Sequence, residues 1–263
     1  MAEPLTYDLQ AQVATITLDR SATMNSLDTT TKDALLDAVR RAAVDLDVRC
    51  VVLTGNGRAF SVGQDLREHI ELLGSRSQEE VWSTVDKHYA PIALTLATME
   101  KPVIAAINGV AAGAGLSIAL ACDLRIAADT AGFNTAFTGV ALSCDTGASW
   151  TLPRLIGSGK ALELLLTPRT LDAVEAMQLG IVNQLVPADD LMATAHGLAA
   201  RLAAGPTLAY ACVKQSVAYA ATHPLDEALA FESRMMARTG GSVDHHNAVT
   251  SFVAKQKPTF EGR

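Results

Sequence analysis

At 263 residues, 49% of them hydrophobic and 19% charged, the chain is long enough to bury a large core and has the balance of an ordinary soluble globular protein. Its formal net charge of −7 disfavours a nucleic acid or an anionic membrane surface as partner, so an anionic ligand would need local basic residues. No apolar run reaches the roughly 20 residues of a membrane span, because Asp123 and Arg125 interrupt the longest candidate, and Met1-Ala2-Glu3-Pro4 lacks signal-peptide character, so the expected compartment is the cytoplasm.

In chain order, Ala14, Ile16 and Leu18 alternate with Val13, Thr15 and Thr17, which predicts a strand. A helix is predicted from Asp28 to Arg41, where Ala34, Leu35, Ala38, Val39 and Ala42 recur at helical spacing. Cys50–Thr54 reads as a buried strand, with a helix starting after Asp65, and the polar stretch from Glu68 to Asp86 as a surface helix or mobile segment. Val103–Asn108 is a further strand, Gly115–Ala121 a helix and Leu124–Ala127 another strand. Short apolar strands alternating with helices predict an α/β core with mainly parallel pairing, and leave open a doubly wound sheet or a spiral of strand-strand-helix units. Beyond about Asp189 the pattern is helical only: Leu191–Ala203, Pro206–Ala221 and Leu225–Arg238. The expected division is therefore a core over 1–188 and a helical region over 189–263, its Leu and Met faces buried on the core or on a partner subunit. Cys50, Cys122, Cys144 and Cys212 are widely spaced and predict reduced thiols, with no disulfide framework and no metal site. The adjacent His245 and His246 cannot share a helix face as metal ligands do.

Two strands end in glycine-bearing turns that lead into helices: Gly55-Asn56-Gly57 through Gly63-Gln64-Asp65-Leu66, and Asn108-Gly109 through Gly113-Ala114-Gly115. Glycine admits backbone angles and close approaches that other residues resist, and the first amides of a helix carry the positive end of its dipole without an internal partner. The glycines could serve only to pack helix on strand. Together, however, the turns can aim the N–H groups of Gln64 and Ala114 at one carbonyl oxygen, which is what an oxyanion hole requires. A dinucleotide site is a poor match, because Ile118 stands where the third glycine of G-x-G-x-x-G belongs.

Gly57 to Leu66, Lys101 to Gly115 and the following Asp123 resemble the two signature segments of the enoyl-CoA hydratase/isomerase (crotonase) superfamily. Leu152-Pro153-Arg154-Leu155-Ile156-Gly157, Ala176 to Val182 and Phe252 to Pro258 extend the likeness over nearly the whole chain. The resemblance implies a spiral of ββα repeats with a C-terminal helical trimerisation region, assembled as a homotrimer or a dimer of trimers. It also implies an acyl-CoA thioester, with coenzyme A carried by the substrate and no prosthetic group. The oxyanion hole then falls on the amides of Gln64 and Ala114, in turns shaped by Gly63 and Gly113. Leu27, Val62, Asp65 and Leu66 would line the CoA cleft, and Phe252 with Lys255 would close on the nucleotide, from a neighbouring subunit where the trimer forms.

The family's hydratases use two glutamates, and those positions fall on Ser117 and Phe137, neither of which can act as a carboxylate base. Asp145 is the candidate in their place. The family's ring-epoxide phenylacetyl-CoA isomerases resemble this chain in an aspartate here followed by Trp-x-Leu-Pro-Arg, and also around Lys87-His88-Tyr89-Ala90-Pro91. The resemblance thus implies an isomerase of fatty acid or phenylacetate metabolism, with Phe137, Leu142 and Trp150 as apolar walls and Cys144 as lining. Asp145 could instead cap the helix starting near Ala148. Other readings stay open: a single-carboxylate hydratase, a non-catalytic acyl-CoA-binding subunit, or a haloaromatic acyl-CoA dehalogenase. The dehalogenase histidine would fall at Ala90, leaving His88 nearby.

Overall fold

The computed structural model describes residues 3–263. Strands β1 (Leu5–Gln10) and β2 (Val13–Leu18) form an antiparallel hairpin whose two turn residues, Ala11 and Gln12, both have positive φ. Two such residues give the turn a twist that matches the strands it joins. Helix α1 (Thr29–Val44) starts where the Asp28 carboxylate accepts the Thr31 N–H at 2.8 Å.

The chain then makes the same excursion three times, from a long strand to a short strand to helix. β3 (Cys50–Gly55) and β4 (Ala59–Ser61) lead to α2 (Leu66–Ser75), α3 (Gln78–Thr84) and α4 (Ala90–Thr98). β5 (Val103–Ile107) and β6 (Val110–Ala112) lead to α5 (Ala114–Ala121), and β7 (Leu124–Ala128) and β8 (Gly132–Asn134) lead to α6 (Ala148–Ile156) and α7 (Ser158–Leu166). β9 (Leu171–Asp172), α8 (Ala173–Gln178), β10 (Gln184–Val186), α9 (Leu191–Ala203), α10 (Thr207–Ala220), α11 (Leu225–Gly240) and α12 (Val243–Val253) complete the order.

The long strands form one sheet in the order β1-β2-β3-β5-β7-β10, and the short ones a second in the order β4-β6-β8-β9. β3, β5 and β7 pair in parallel, as do β4, β6 and β8. Each turn of the chain therefore lays one strand on each sheet, which is a spiral of ββα repeats and not a doubly wound sheet.

β3 and β5 are buried along their whole length and almost entirely apolar because both faces of the long sheet are covered. Val51, Leu53, Val103, Ala105 and Ile107 enter the main core, while Cys50, Val52, Ile104 and Ala106 meet α9 on the opposite face. On α9, Ala195, Ala199 and Ala203 recur every fourth residue and bring the helix close to the sheet. The helical region expected from 189 thus begins with a helix that belongs to the sheet. Helices α10, α11 and α12 carry apolar side chains that stay exposed in the single chain, among them Val213, Val217, Leu229, Met236 and Phe252. No helix among the described residues is long and apolar enough to cross a membrane.

The segment from Glu68 to Asp86, expected to be a surface helix or mobile, is mostly surface helix, in α2 and α3. A capping box at Ser77 and Glu80 opens α3, and Val81 is buried beneath it. Between α3 and α4 lies a single π-helical turn, Val85–Tyr89, in which the Ala90 N–H donates to Val85 O.

Candidate active site

The two glycine turns meet. Gly63, at φ +81°, lies so near the second turn that a β-carbon there would sit 3.0 Å from Ala112 O and 3.0 Å from the Ala114 amide nitrogen. A β-carbon on Gly115 would sit 2.3 Å from Ser61 O. Backbone rests on backbone at this point, and only glycine permits it.

A short parallel bridge orients the first amide. Leu27 N–H donates to Gly63 O at 2.8 Å and Asp65 N–H to Leu27 O at 3.1 Å, which turns the intervening Gln64 N–H to the other side of the strand. Ala114 is the first residue of α5, so its N–H has no acceptor within the helix. Among the described residues, neither amide donates to a protein acceptor.

Both residues line a cavity of about 490 Å³. Its wall also takes in Met24, Ser26, Val62, Asp65, Leu66 and Gly113 from the turns, Trp82, Thr84, Val85 and Tyr89 from the helical excursion, and Phe137, Val140, Leu142 and Asp145 from the loop before α6. Arg58, Arg67 and His69 supply the local basic groups that the acidic whole lacks.

Two carboxylates face this cavity, in opposite circumstances. Burial pushes the Asp65 carboxyl upward, but hydrogen bonds from Ser26, from the amides of Glu68 and Arg67, and from Arg20 outweigh it and hold the group below the usual range. Ser26 Oγ donates to Asp65 Oδ2 at 2.8 Å and Arg20 at 3.2 Å, while Oδ1 caps α2. Asp145 is pushed above the usual range by burial, against weaker help from the Thr146 hydroxyl at 2.7 Å, its own amide and the charge of Lys32. Its side chain does not cap α6: the N-cap is Gly147, with no side-chain bond. Thr146, buried and at φ +54°, makes the reversal that holds Asp145 in the wall, an uncommon conformation for a β-branched residue.

Several expected residues lie elsewhere. The Leu27 side chain is in the core, and only its backbone serves the site. Phe252, on α12, and Lys255, just after it, are exposed and outside the cavity wall of the single chain. Trp150 faces outward, stacked under the Arg154 guanidinium 4.0 Å away, and so is not an apolar wall; Cys144 does not line the cavity either. Ser117 is buried and its hydroxyl donates to Gly113 O at 3.1 Å, within its own helix. His88, 3.0 Å from both Thr84 Oγ1 and Asp33 Oδ1, is outside the cavity wall, which removes the histidine a dehalogenase would need there.

The structure adds two polar residues to which the sequence reading gave no role. The Tyr89 hydroxyl donates to Gln64 Oε1 at 2.6 Å, and the buried Lys32 ammonium donates to the same oxygen at 3.1 Å. Lys32 had a legible signal: it shares the buried stripe of α1 with Leu35, Leu36 and Val39, and a lysine in such a stripe requires partners. Tyr89 could not be placed by any regular period, because the π turn shifts the phase of its helix.

The enoyl-CoA hydratase/isomerase family profile matches residues 8–263. The chain belongs to this family. It is similar to a Rhodobacter capsulatus protein named a probable enoyl-CoA hydratase, 37% identical over 98% of this chain and 97% of that one. A 1,2-epoxyphenylacetyl-CoA isomerase of Escherichia coli is 36% identical over 100% of both chains. Among solved structures, a Bacillus anthracis enoyl-CoA hydratase superposes with a TM-score of 0.91 at 31% identity, over 99% of this chain and 100% of the other. The fold is thus the crotonase fold, and the family acts on acyl-CoA thioesters.

Proposed function

We propose that the protein is an acyl-CoA isomerase that shifts a double bond, or opens a ring epoxide, through a thioester enolate. The N–H groups of Gln64 and Ala114 receive the thioester oxygen and stabilise the negative charge that develops on it. Asp145 removes a proton from one carbon of the acyl chain and returns it to another. The apolar flank of Phe137, Val140 and Leu142 keeps water from the enolate. One base that takes and gives back the same proton yields an isomer, whereas hydration also needs a group to activate water.

The observation that carries this reading is the contrast between the two cavity carboxylates. Asp65 is committed to four donors, while Asp145 holds one short side-chain hydrogen bond and burial favours its protonated form. That is the condition of a group able to accept a proton and part with it. Ser117 and Phe137, where hydratases of the family carry glutamates, give no second base.

Turnover of a 3-enoyl-CoA and of a ring-epoxide aryl-acetyl-CoA by wild type and Asp145→Asn tests the reading. Loss of isomerisation in a variant that still binds the thioester is expected, and full activity in Asp145→Asn would overturn it. Water addition to crotonyl-CoA at a comparable rate would favour the hydratase instead. Tight binding with no turnover of any of these esters would favour a binding subunit, and halide release from a chlorobenzoyl-CoA a dehalogenase.

The exposed apolar faces of α10–α12 suit a homotrimer or a dimer of trimers, in which Phe252 and Lys255 would reach a neighbouring subunit's nucleotide. Sedimentation at three or six chain masses is the expected result.

A further inference from the structure

Lys32 is 1% exposed, yet no carboxylate lies within ion-pair distance of it among the described residues. Its ammonium instead donates to two neutral oxygens, Gln64 Oε1 at 3.1 Å and Thr84 Oγ1 at 2.8 Å, and lies 5.4 Å from the centre of the Tyr89 ring. A buried cation hydrogen-bonded only to neutral groups is costly to maintain, and burial holds the ammonium below the usual lysine range against the pull of more distant carboxylates. Its surroundings suggest what the charge is for. Gln64, to which it is bonded, supplies one of the two free amides, and Asp145, across the cavity, is a carboxylate on which its charge acts.

We infer that Lys32 is a positioning residue whose buried positive charge counterbalances, in turn, the ionised Asp145 and the oxyanion at Gln64 and Ala114. This rests on the isomerase reading. Before proton transfer the negative charge resides on Asp145; afterwards Asp145 is neutral and the charge resides on the thioester oxygen at the Gln64 amide. At one end of that displacement Lys32 is hydrogen-bonded to the Gln64 side chain, and at the other its charge favours the ionised Asp145. Its grip on the Gln64 side chain, shared with Tyr89, also fixes the amide that receives the oxyanion.

The other ionisable groups around Lys32 do not duplicate this arrangement. Glu68 on α2 and Asp28 and Asp33 on or before α1 bear on its charge and, like Lys32 itself, lie outside the wall of the main cavity. Asp28 is paired with Arg20 at 3.0 Å, Asp33 with His88 at 3.0 Å, and Glu68 accepts the Thr29 N–H at 3.0 Å. Tyr89 is neutral, because burial and then the charge of Asp145 raise its hydroxyl well above the ordinary range. Lys32 also borders a side pocket of about 240 Å³ beneath α3. That pocket offers a small amine a route to the site once the lysine side chain is removed.

The decisive variant is Lys32→Met, which keeps the shape and deletes the charge. Its kcat is expected to fall about 100-fold, as for loss of one oxyanion donor, with KM within about threefold. The acid limb of kcat/KM should move to higher pH, because Asp145 loses a favourable neighbour. A carboxyl 13C titration of Asp145 should show the same displacement without reference to turnover. Tyr89→Phe, which removes a hydrogen bond but no charge, should lower kcat while leaving that limb in place. Lys32→Ala should regain part of its rate with added ethylammonium, while wild type does not respond. A folded Lys32→Met enzyme with an unmoved limb and near-normal kcat would overturn the inference. If Asp145→Asn is inactive in the same assays, the isomerase reading survives that outcome; if Asp145→Asn is active, it is the base assignment that fails.

Discussion

The cavity has two walls, each bearing one aspartate, and the walls treat their charge in opposite ways. On the wall built by β4 and the start of α2, Asp65 is surrounded by a hydroxyl, two amides and a guanidinium, all donors, and its ionised form is favoured. On the wall built by the loop before α6, Asp145 has one hydroxyl partner, and its ionised form is disfavoured by burial. The same side chain is a structural clamp in one setting and, in the proposed isomerase, the base in the other. The difference lies in how many donors the local backbone and its neighbours deliver.

Substitutions on the two walls should therefore fail in different ways. The largest effect is expected from Asp145→Asn: about 10³-fold less isomerisation, the scale of a lost acid–base group, with the melting temperature at neutral pH no lower than wild type. Because burial raises the Asp145 carboxyl, its contribution to stability is greatest in acid and declines as pH rises through its folded-state value. The stability of Asp145→Asn should accordingly converge on that of wild type at low pH. Gly63→Ala should come next, with kcat lowered about 100-fold, since its β-carbon would press on Ala112 O and the Ala114 amide. A crystal structure of that variant should show the two turns moved apart.

Asp65→Ala should reverse the pattern, costing about 2–3 kcal/mol of stability through the lost cap and the uncompensated Arg20 charge, as measured by denaturant titration. The Asp65 carboxyl is held low, so its contribution is complete above the ordinary carboxylate range and disappears as pH falls through the depressed value. Wild type and Asp65→Ala should thus converge in acid for the opposite reason. The smallest effect is expected for Ser117→Ala, within about 1 kcal/mol of stability and with nearly unchanged turnover. A large loss of activity there would return the chemistry to α5 and erase the contrast between the walls.

Much of this was legible in the chain before the coordinates. Apolar periodicity located β2, β3, β5 and β7, and the glycines of the two turns pointed to Gln64 and Ala114 because no other residue suits such backbone geometry. What periodicity could not reveal was which way the strands were stacked, since a spiral and a doubly wound sheet share the same alternation of elements. Side-chain direction was equally hidden. Leu27 reads as a wall residue, but the bridge that exposes the Gln64 amide points the Leu27 side chain into the core. Trp150 reads as an apolar lining, but the helix starting at Ala148 carries it outward onto Arg154. Phe252 and Lys255 are followed only as far as an exposed helix end, because a second subunit is a matter of surfaces and not of local pattern.

The π turn at Val85–Tyr89 has a consequence for how this wall could be altered. Residues five apart, such as Thr84 and Tyr89, would face well away from each other on a regular α-helix, yet here both line the cavity. Deleting one residue from the turn, Asp86 for instance, would restore a regular helix and act as a screw. It would rotate α3 by about 100° relative to α4, swinging Trp82 and Thr84 off the cavity while leaving hydrophobicity, length and charge almost as they were. The shape of this wall of the cavity is therefore held by a phase offset of one residue, a quantity that composition does not register.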